Sequence, residues 1–376
     1  MQKILFLQPG YAHYRKPLFD RLNQTFDVLF IFTGGQFTYP SFDKGNKGWN
    51  TICLHSEKHL FWPLKLLWIL LFTEADVIIS SVPTSLGSFI SCLVSKLQNK
   101  KFVIWTVNWD LSYEYLNRPE IYKRLRYAQY KFIVRKANAV VVHGNHSYYY
   151  HLGLGIPTDK VFVANHSSFD LSVQKSNDIS GSPLAAQQKH TILYFSRIIP
   201  RKGLDILIKA FKKLEVEIEG VRLLIAGDGD FRPFCENLAQ ELNLKNIKFL
   251  GSVPFEKAAY YYAMSDVFVL PSCLRGQSEA WGLVINEAMS MRKPIITTDA
   301  AGAAYDLVKN GLNGYVVKNG DVDDLYNALK RMLGDDKLMK TMGLNSRRIF
   351  DQFNSYEKMF EGFRSAISYV EQSSRY

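Results

Sequence analysis

Short apolar runs alternate with longer segments of helical periodicity along most of the chain. Ile4–Gln8, Val28–Phe32, Val77–Ser81, Phe102–Val107, Val140–His143 and Val161–Ala164 predict strands, and Pro17–Asn23 predicts the first helix. A second set follows at Thr191–Ser196, Arg222–Ala226, Lys248–Leu250, Val267–Leu270, Ile295–Thr298 and Gly314–Val317, with helical patterns such as Gly203–Leu214 and Phe231–Glu241 between. Between the sets, Ser172–His190 is rich in Ser, Gln, Lys and Asp and poor in large apolar residues, the composition of a linker. The pattern predicts an α/β protein with two doubly wound, Rossmann-like domains, residues 1–172 and 191–355, joined by a linker at 173–190. Residues 356–376 predict a final helix. Ligands of such sheets sit beyond the carboxyl ends of the strands. For two sheets facing each other, the expected site is the cleft between them.

The 376 residues, 47% of them hydrophobic, suffice for two full cores. Cys53, Cys92, Cys235 and Cys273 are scattered without a Cys-x-x-C spacing, which argues against a disulfide framework or zinc site. The apolar run Ile4–Leu7 is too short for a signal-peptide core and ends at Pro9-Gly10. Leu60–Phe72, broken by Pro63 and Lys65, falls well short of the roughly 20 residues that span a bilayer. A cytoplasmic chain, soluble or bound to a membrane face, is expected.

Charge changes the picture for the first half. The net charge is +11, and residues 1–170 hold 19 Lys and Arg against 11 Asp and Glu. An anionic partner is implied: lipid head groups, nucleic acid or a phosphorylated acceptor. No nucleic-acid module is recognisable, so nucleic acid is not the expected partner. Arg118–Lys136 interleaves seven cations with Tyr122, Tyr127, Tyr130 and Phe132, a pattern suited to an anionic membrane surface, with a plain solvated helix as the alternative. Trp62, Leu64, Leu66, Leu67 and Trp68 form a second candidate patch, for which core burial is the alternative.

The densest chemistry lies in Ser-Glu-Ala-Trp-Gly-Leu-Val-Ile-Asn-Glu-Ala-Met, where Glu279 and Glu287 stand eight positions apart. Trp281-Gly282 predicts a turn, and Leu283 onward a helix. One carboxylate then precedes the helix and the other lies in its first turns. The free N–H groups of a helix start favour a phosphate. Arg197 and Lys202 follow the first strand of the second domain, where two cations can neutralise a diphosphate without a metal. The Gly-Asp-Gly turn around Asp228 reads as structural. Asp321, Asp323 and Asp324 read as helix capping rather than a metal site, so metal independence is expected.

This run resembles the Glu-x7-Glu signature of retaining glycosyltransferases with two Rossmann-like domains, the GT-B architecture of glycosyltransferase family 4, or group 1. The resemblance extends in order through Ser196-Arg197, Arg201-Lys202-Gly203, Ile225–Gly229, Lys293–Ile296 and Gly311–Val317, over roughly residues 191–318. It is looser in the first half. It implies that Arg197 and Lys202 grip the donor's phosphates, and that Glu287 binds the ribose hydroxyls. Glu279 would meet the transferred sugar and stabilise positive charge at the anomeric carbon. Gly282, Leu283 and Val284 would offer amides to the distal phosphate. Gly251-Ser252-Val253 would frame the nucleobase, and the final helix would cross back to the first domain.

In the first half, family members often carry a glycine-rich loop after the first strand. This chain has Gly10 alone, followed by His13 and Arg15, which become candidates for sugar or acceptor contact; packing against the first helix is the alternative for His13. Relatives often place a histidine after the fourth strand. Here the stretch is Trp105-Thr-Val-Asn108-Trp-Asp110, so Asn108 and Asp110 are candidates for that role, with His143, His146 and His166 nearby in sequence.

The resulting expectation is a retaining, metal-independent transfer of a hexose-type sugar from a UDP- or GDP-linked donor to a hydroxyl of a glycan, with no bound cofactor. The acceptor is expected to be lipid-linked, in surface polysaccharide or glycoconjugate assembly at the inner face of the membrane. A sugar-nucleotide epimerase of the same architecture is the rival enzyme, and a nucleic-acid binder or a lectin-like subunit the rival non-enzyme.

Overall fold

The computed structural model describes residues 1–34, 48–54, 60–108, 118–174, 189–276 and 278–372. They form two compact units: one of the described residues up to Ser167 together with those from Ser355 on, the other of Ser168–Asn354.

The first unit has strands β1 (Lys3–Gln8), β2 (Asp27–Phe32), β3 (Asn50–Cys53), β4 (Val77–Ser81), β5 (Lys101–Thr106), β6 (Ala139–Val142) and β7 (Val161–Val163). They are wholly parallel, in the order β3-β2-β1-β4-β5-β6-β7. Its helices are α1 (Lys16–Thr25), α2 (Trp62–Phe72), α3 (Leu86–Leu97), α4 (Glu120–Lys136) and α5 (Asn145–Gly153). The apolar runs are buried along nearly their whole length because helices cover both faces of the sheet. The sequence pattern gave no sign of β3: it is a four-residue edge strand that starts on Asn50 and Thr51 and is nowhere fully buried.

The second unit has β8 (His190–Phe195), β9 (Val221–Ala226), β10 (Ile247–Gly251), β11 (Val267–Leu270), β12 (Ile295–Thr298) and β13 (Gly314–Val317), in the parallel order β10-β9-β8-β11-β12-β13. The helices are α6 (Leu204–Glu217), α7 (Arg232–Glu241), α8 (Ala258–Met264), α9 (Leu283–Ser290), α10 (Gly302–Leu307), α11 (Val322–Leu333) and α12 (Asp336–Phe353). One apolar layer lies under α6 and α11, the other under α8, α9 and α10. The strand order reverses between β8 and β11, the place in such sheets where the carboxyl ends of the strands hold ligands.

The boundary lies at Ser167, not after residue 172. Ser168 N donates to Asn354 Oδ1 at 2.8 Å, Leu171 N to Ser290 Oγ at 3.2 Å, and Asp170 takes both Arg347 NH groups at 2.8 and 2.9 Å. These bonds tie 168–172 to the second unit. The expected linker falls largely on 175–188, outside the described residues. The last helix, α13 (Tyr356–Gln372), belongs to the first unit. Its Met359, Phe360, Phe363 and Ile367 join the apolar layer of β1, β5 and β6.

Candidate active site

Arg197, Arg201 and Lys202 follow β8, and Glu279 follows β11. The four therefore occupy the point where the strand order reverses. The first loop closes with a short 3-10 turn at Pro200–Lys202, then Gly203 at φ +67°. A Cβ on Gly203 would stand 1.9 Å from Pro271 O, so only glycine lets this loop lie against the one after β11. The two loops are laced together. Cys273 N donates to Arg201 O at 2.8 Å, and Arg275 makes a two-pronged pair with Asp205, at 2.9 and 2.8 Å. Glu279 is fixed by its own backbone: its N–H donates to Ala300 O and its carbonyl accepts from Gly302 N.

This framework places Glu279 Oε2 2.5 Å from both Arg201 Nη1 and Lys202 Nζ. All three side chains are largely out of water. Burial pushes the Glu279 carboxyl up, but Lys202 and Arg201 together hold it below its ordinary value. Burial also lowers Lys202, against the pull of Glu279. The second cation on Glu279 is thus Arg201, which the sequence reading quoted only as part of a motif. Arg197 is exposed and makes no ion pair among the described residues. One carboxylate against three cations leaves a surplus of two positive charges at the end of β8.

Gly282 at φ +95° turns the chain from Trp281 into α9. Ile285 N bonds back to Gly282 O, while the amides of Gly282, Leu283 and Val284 have no acceptor among the described residues. Trp281 is a packing residue: it is buried, and its Nε1 donates to Asn286 Oδ1 at 2.9 Å. Glu287 lies one turn along α9. The buried Tyr262 donates its hydroxyl to Glu287 Oε2 at 3.1 Å. Burial raises the Glu287 carboxyl to about 7, against the lowering effect of that hydrogen bond. Tyr262 was not predicted: it lies in a Tyr-Tyr-Tyr run on α8, and only the fold shows which ring faces Glu287. Val253, half-buried, packs on the same apolar layer as α9. Asp228 is held in its turn through the backbone, its carbonyl accepting from Ile198 N at 2.8 Å. Asp321 caps α11 by accepting from Asp323 N and Asp324 N. Among the described residues no group of three or more His, Cys, Asp or Glu is placed to hold a metal ion.

The first-half candidates belong to the other unit and are described within it. Gly10 is buried after β1, and His13 and Arg15 form a short 3-10 turn. Arg15 donates to Gln8 Oε1 at 2.6 Å and lies 4.7 Å over the Trp105 ring. Asn108 holds local structure, its carbonyl accepting from Ser147 Oγ at 2.6 Å. Asp110 lies outside the described residues. His143 accepts from Trp105 Nε1 at 3.1 Å and meets His166 edge-on. Burial, then Arg15, lowers His143 to about 3; burial, then His143 and Arg15, takes His166 well below its ordinary value. Both are neutral packing imidazoles near pH 7. Val82, just after β4, has φ +59°, a strained conformation for a β-branched residue and one that no sequence signal marked.

Residues 175–349 match the family model of glycosyl transferases group 1. The match covers just under half of the chain, and over that stretch the chain is similar to the group 1 family. A GDP-mannose-dependent alpha-(1-6)-phosphatidylinositol monomannoside mannosyltransferase of Mycolicibacterium smegmatis is 31% identical over 160 residues, 42% of each chain. An uncharacterized glycosyltransferase of Methanocaldococcus jannaschii is 31% identical over 172 residues, 46% of each. The match thus spans about half the length of these curated relatives. Among solved structures, Anabaena HepE in complex with UDP and glucose superposes with a TM-score of 0.77 at 21% identity, covering 98% of this chain and 100% of that one. Sucrose-phosphate synthase from Thermosynechococcus elongatus gives 0.76 at 19%, with 100% of both chains covered. The chain thus has the GT-B fold, with parallel sheets of seven and six strands.

Proposed function

We propose that this protein is a retaining glycosyltransferase that moves a hexose-type sugar from a nucleoside diphosphate to a hydroxyl of a lipid-linked glycan, in surface polysaccharide or glycoconjugate synthesis. The observation that carries this reading is the Glu279 carboxylate held between Arg201 and Lys202 beside the start of α9, with Glu287 one turn along the same helix. The two surplus positive charges match the two negative charges of a sugar diphosphate. Arg197 supplies the cation that is still unpaired, and the amides of Gly282, Leu283 and Val284 receive the distal phosphate. The Glu287 carboxylate accepts hydrogen bonds from the ribose, oriented by Tyr262, and Val253 borders the base. Glu279 faces the sugar and stabilises the positive charge that grows as the bond to phosphate breaks.

The acceptor hydroxyl attacks on the face that the diphosphate leaves. Its proton passes to a phosphate oxygen, so no side-chain base is required and the anomeric configuration is kept. Gly10, His13, Arg15 and Asn108 are the first unit's candidates for acceptor contact. The reaction is assigned to the cytoplasm at the inner membrane face, with Arg118–Lys136 against anionic lipid. The mannosyltransferase relative is described as acting on a phosphatidylinositol glycolipid, and HepE was solved with UDP and glucose; both favour a nucleotide-sugar donor here.

The test is a donor screen by thermal shift and by hydrolysis or transfer, with UDP- and GDP-sugars, with and without EDTA. A response that survives EDTA and disappears in Glu287→Ala and Lys202→Ala supports the reading. A response to no donor, or one unchanged in both variants, overturns it. Conversion of the donor alone to an epimeric nucleotide sugar would instead identify an epimerase.

A further inference from the structure

The first unit carries a face that its own core does not explain. Helices α2, α3 and α4 lie side by side over one layer of its sheet. Gln98, at the end of α3, donates to Leu71 O of α2 at 2.8 Å. Arg126 of α4 donates to Thr84 O, just before α3, and Phe89 meets Phe132 across α3 and α4 at 6.4 Å. The inward residues Leu66, Ile69 and Leu70 of α2 are buried, as a covering helix requires.

The outward side of α2 is apolar as well. Leu64, Trp68 and Phe72 follow at intervals of four, are 62%, 62% and 70% exposed, and continue the exposed Leu60 and Phe61. A surface helix ordinarily turns polar residues outward, and one that is apolar all round belongs in a core or in lipid. The stripe does not stop at α2. Leu86, Leu93 and Leu97 of α3 and Ile121 and Leu125 of α4 are exposed too. Exposed large apolar side chains in this number on three adjacent helices mark an interaction site.

Charge says what covers it. The three helices hold eight Lys and Arg and one acidic residue, Glu120, which lies within 4 Å of Lys123 and Arg124. Neither α2 nor α3 has an Asp or Glu. An apolar stripe flanked by cations fits the acyl boundary and head groups of an anionic bilayer. At 11 residues α2 is far too short to cross one, and no helix among the described residues is long and apolar enough to do so.

We infer that α2 is a membrane-insertion helix: Leu64, Trp68 and Phe72 enter the acyl boundary of an anionic bilayer, while the cations of α4 bind its head groups. This rests on the lipid-linked-acceptor reading, but goes beyond electrostatic contact through Arg118–Lys136. It gives binding two components with opposite salt responses. Head-group attraction is screened at about 0.5 M salt, where the Debye length is only about 4 Å, whereas apolar insertion persists.

The experiment is flotation of the full chain with phosphatidylcholine vesicles, with and without about 30% phosphatidylglycerol, at low salt and at about 0.5 M salt. Wild type should float with the anionic vesicles and keep a salt-resistant fraction. Leu64→Ser/Trp68→Ser should lose that fraction while retaining low-salt binding. Lys123→Gln/Arg124→Gln should lose most low-salt binding. All four positions lie at or near the surface, and unchanged melting temperatures would confirm intact folding. Quenching of wild-type tryptophan fluorescence by bromolipids, reduced in Trp68→Tyr, would place the helix at acyl depth.

The inference is overturned if wild type floats with neither vesicle. It is also overturned if all binding vanishes at high salt, or if light scattering shows a dimer that Leu64→Ser/Trp68→Ser dissociates, making the face a contact between copies. Donor hydrolysis, assayed without vesicles, separates these failures from a failure of the glycosyltransferase reading.

Discussion

Arg275→Ala should lower the melting temperature of the second unit by roughly 4–8 °C and weaken transfer, although Arg275 touches none of the proposed donor-binding groups. Its partner Asp205 has a side chain only 6% exposed, so the variant leaves a nearly buried carboxylate without its cation. Breaking a fully buried pair costs about 3–5 kcal/mol, and an exposed one about 0–1. Arg275 is 37% exposed, so water already screens part of the attraction. Asp205 also keeps the favourable field of the α6 start, about 0.3–1 kcal/mol. A loss of about 2 kcal/mol follows, and a domain of this size shifts by about 2–4 °C per kcal/mol. The functional effect comes from the loop: Arg275 ties the 271–280 connection to the turn that carries Arg201 and Lys202. Calorimetry on Arg275→Ala, Asp205→Asn and the double variant tests the reasoning. The double variant should be more stable than the sum of the single losses by at least about 1 kcal/mol, since both members of a contacting pair are then gone. Melting of Arg275→Ala within about 1 °C of wild type, or simple additivity in the cycle, would refute it.

Two further outcomes are expected. Glu287 has a folded-state value raised to about 7, so the folded protein holds this proton more tightly than the unfolded chain. Its contribution to stability is therefore largest at low pH and declines from about pH 4.5 through 7; Glu287→Gln should flatten that part of the melting-temperature profile, and wild-type donor affinity should fall as pH drops through 7, because a protonated carboxyl accepts the ribose hydroxyls less well. Identical pH profiles for the two proteins would be the contrary result. Gly203→Ala should destabilise the second unit by several degrees and sharply reduce donor-induced thermal shift, since its Cβ would meet Pro271 O at 1.9 Å at φ +67°; calorimetry with and without donor would record it.

Much of the fold was legible because buried parallel strands read as unbroken apolar runs. β3 was not, because an edge strand need not be apolar on both faces. Within the site, Gly282 and the start of α9 followed from local turn chemistry. The partners of Glu279 and Glu287 did not. Arg201 and Lys202 are neighbours in one short turn, and only the packing of Gly203 against Pro271 determines that both reach the same carboxylate. Tyr262 is one of three consecutive tyrosines, distinguished by a helix orientation that the local sequence does not encode. In the first unit, His143 and His166 looked like chemical groups by residue type. Burial against Trp105 and beside Arg15 makes them neutral parts of the packing.

The Glu279 ion pair has two effects on catalysis that pull in opposite directions. Without donor, it spares Lys202 the cost of an unpaired buried ammonium and sets both cations before substrate arrives, the preorganisation that makes electrostatic catalysis effective. Yet every unit of positive charge that Glu279 compensates is charge the diphosphate does not receive. With Arg201 and Lys202 alone, the carboxylate would halve the attraction. The exposed Arg197 and the three free amides of α9 restore it from groups that pay no desolvation before binding. Removing Arg197 should therefore weaken donor binding with little change in stability, whereas removing Lys202 should damage both, because Lys202, unlike Arg197, is buried against the carboxylate. That asymmetry between two cations five residues apart follows from burial, and charge counting along the sequence does not reveal it.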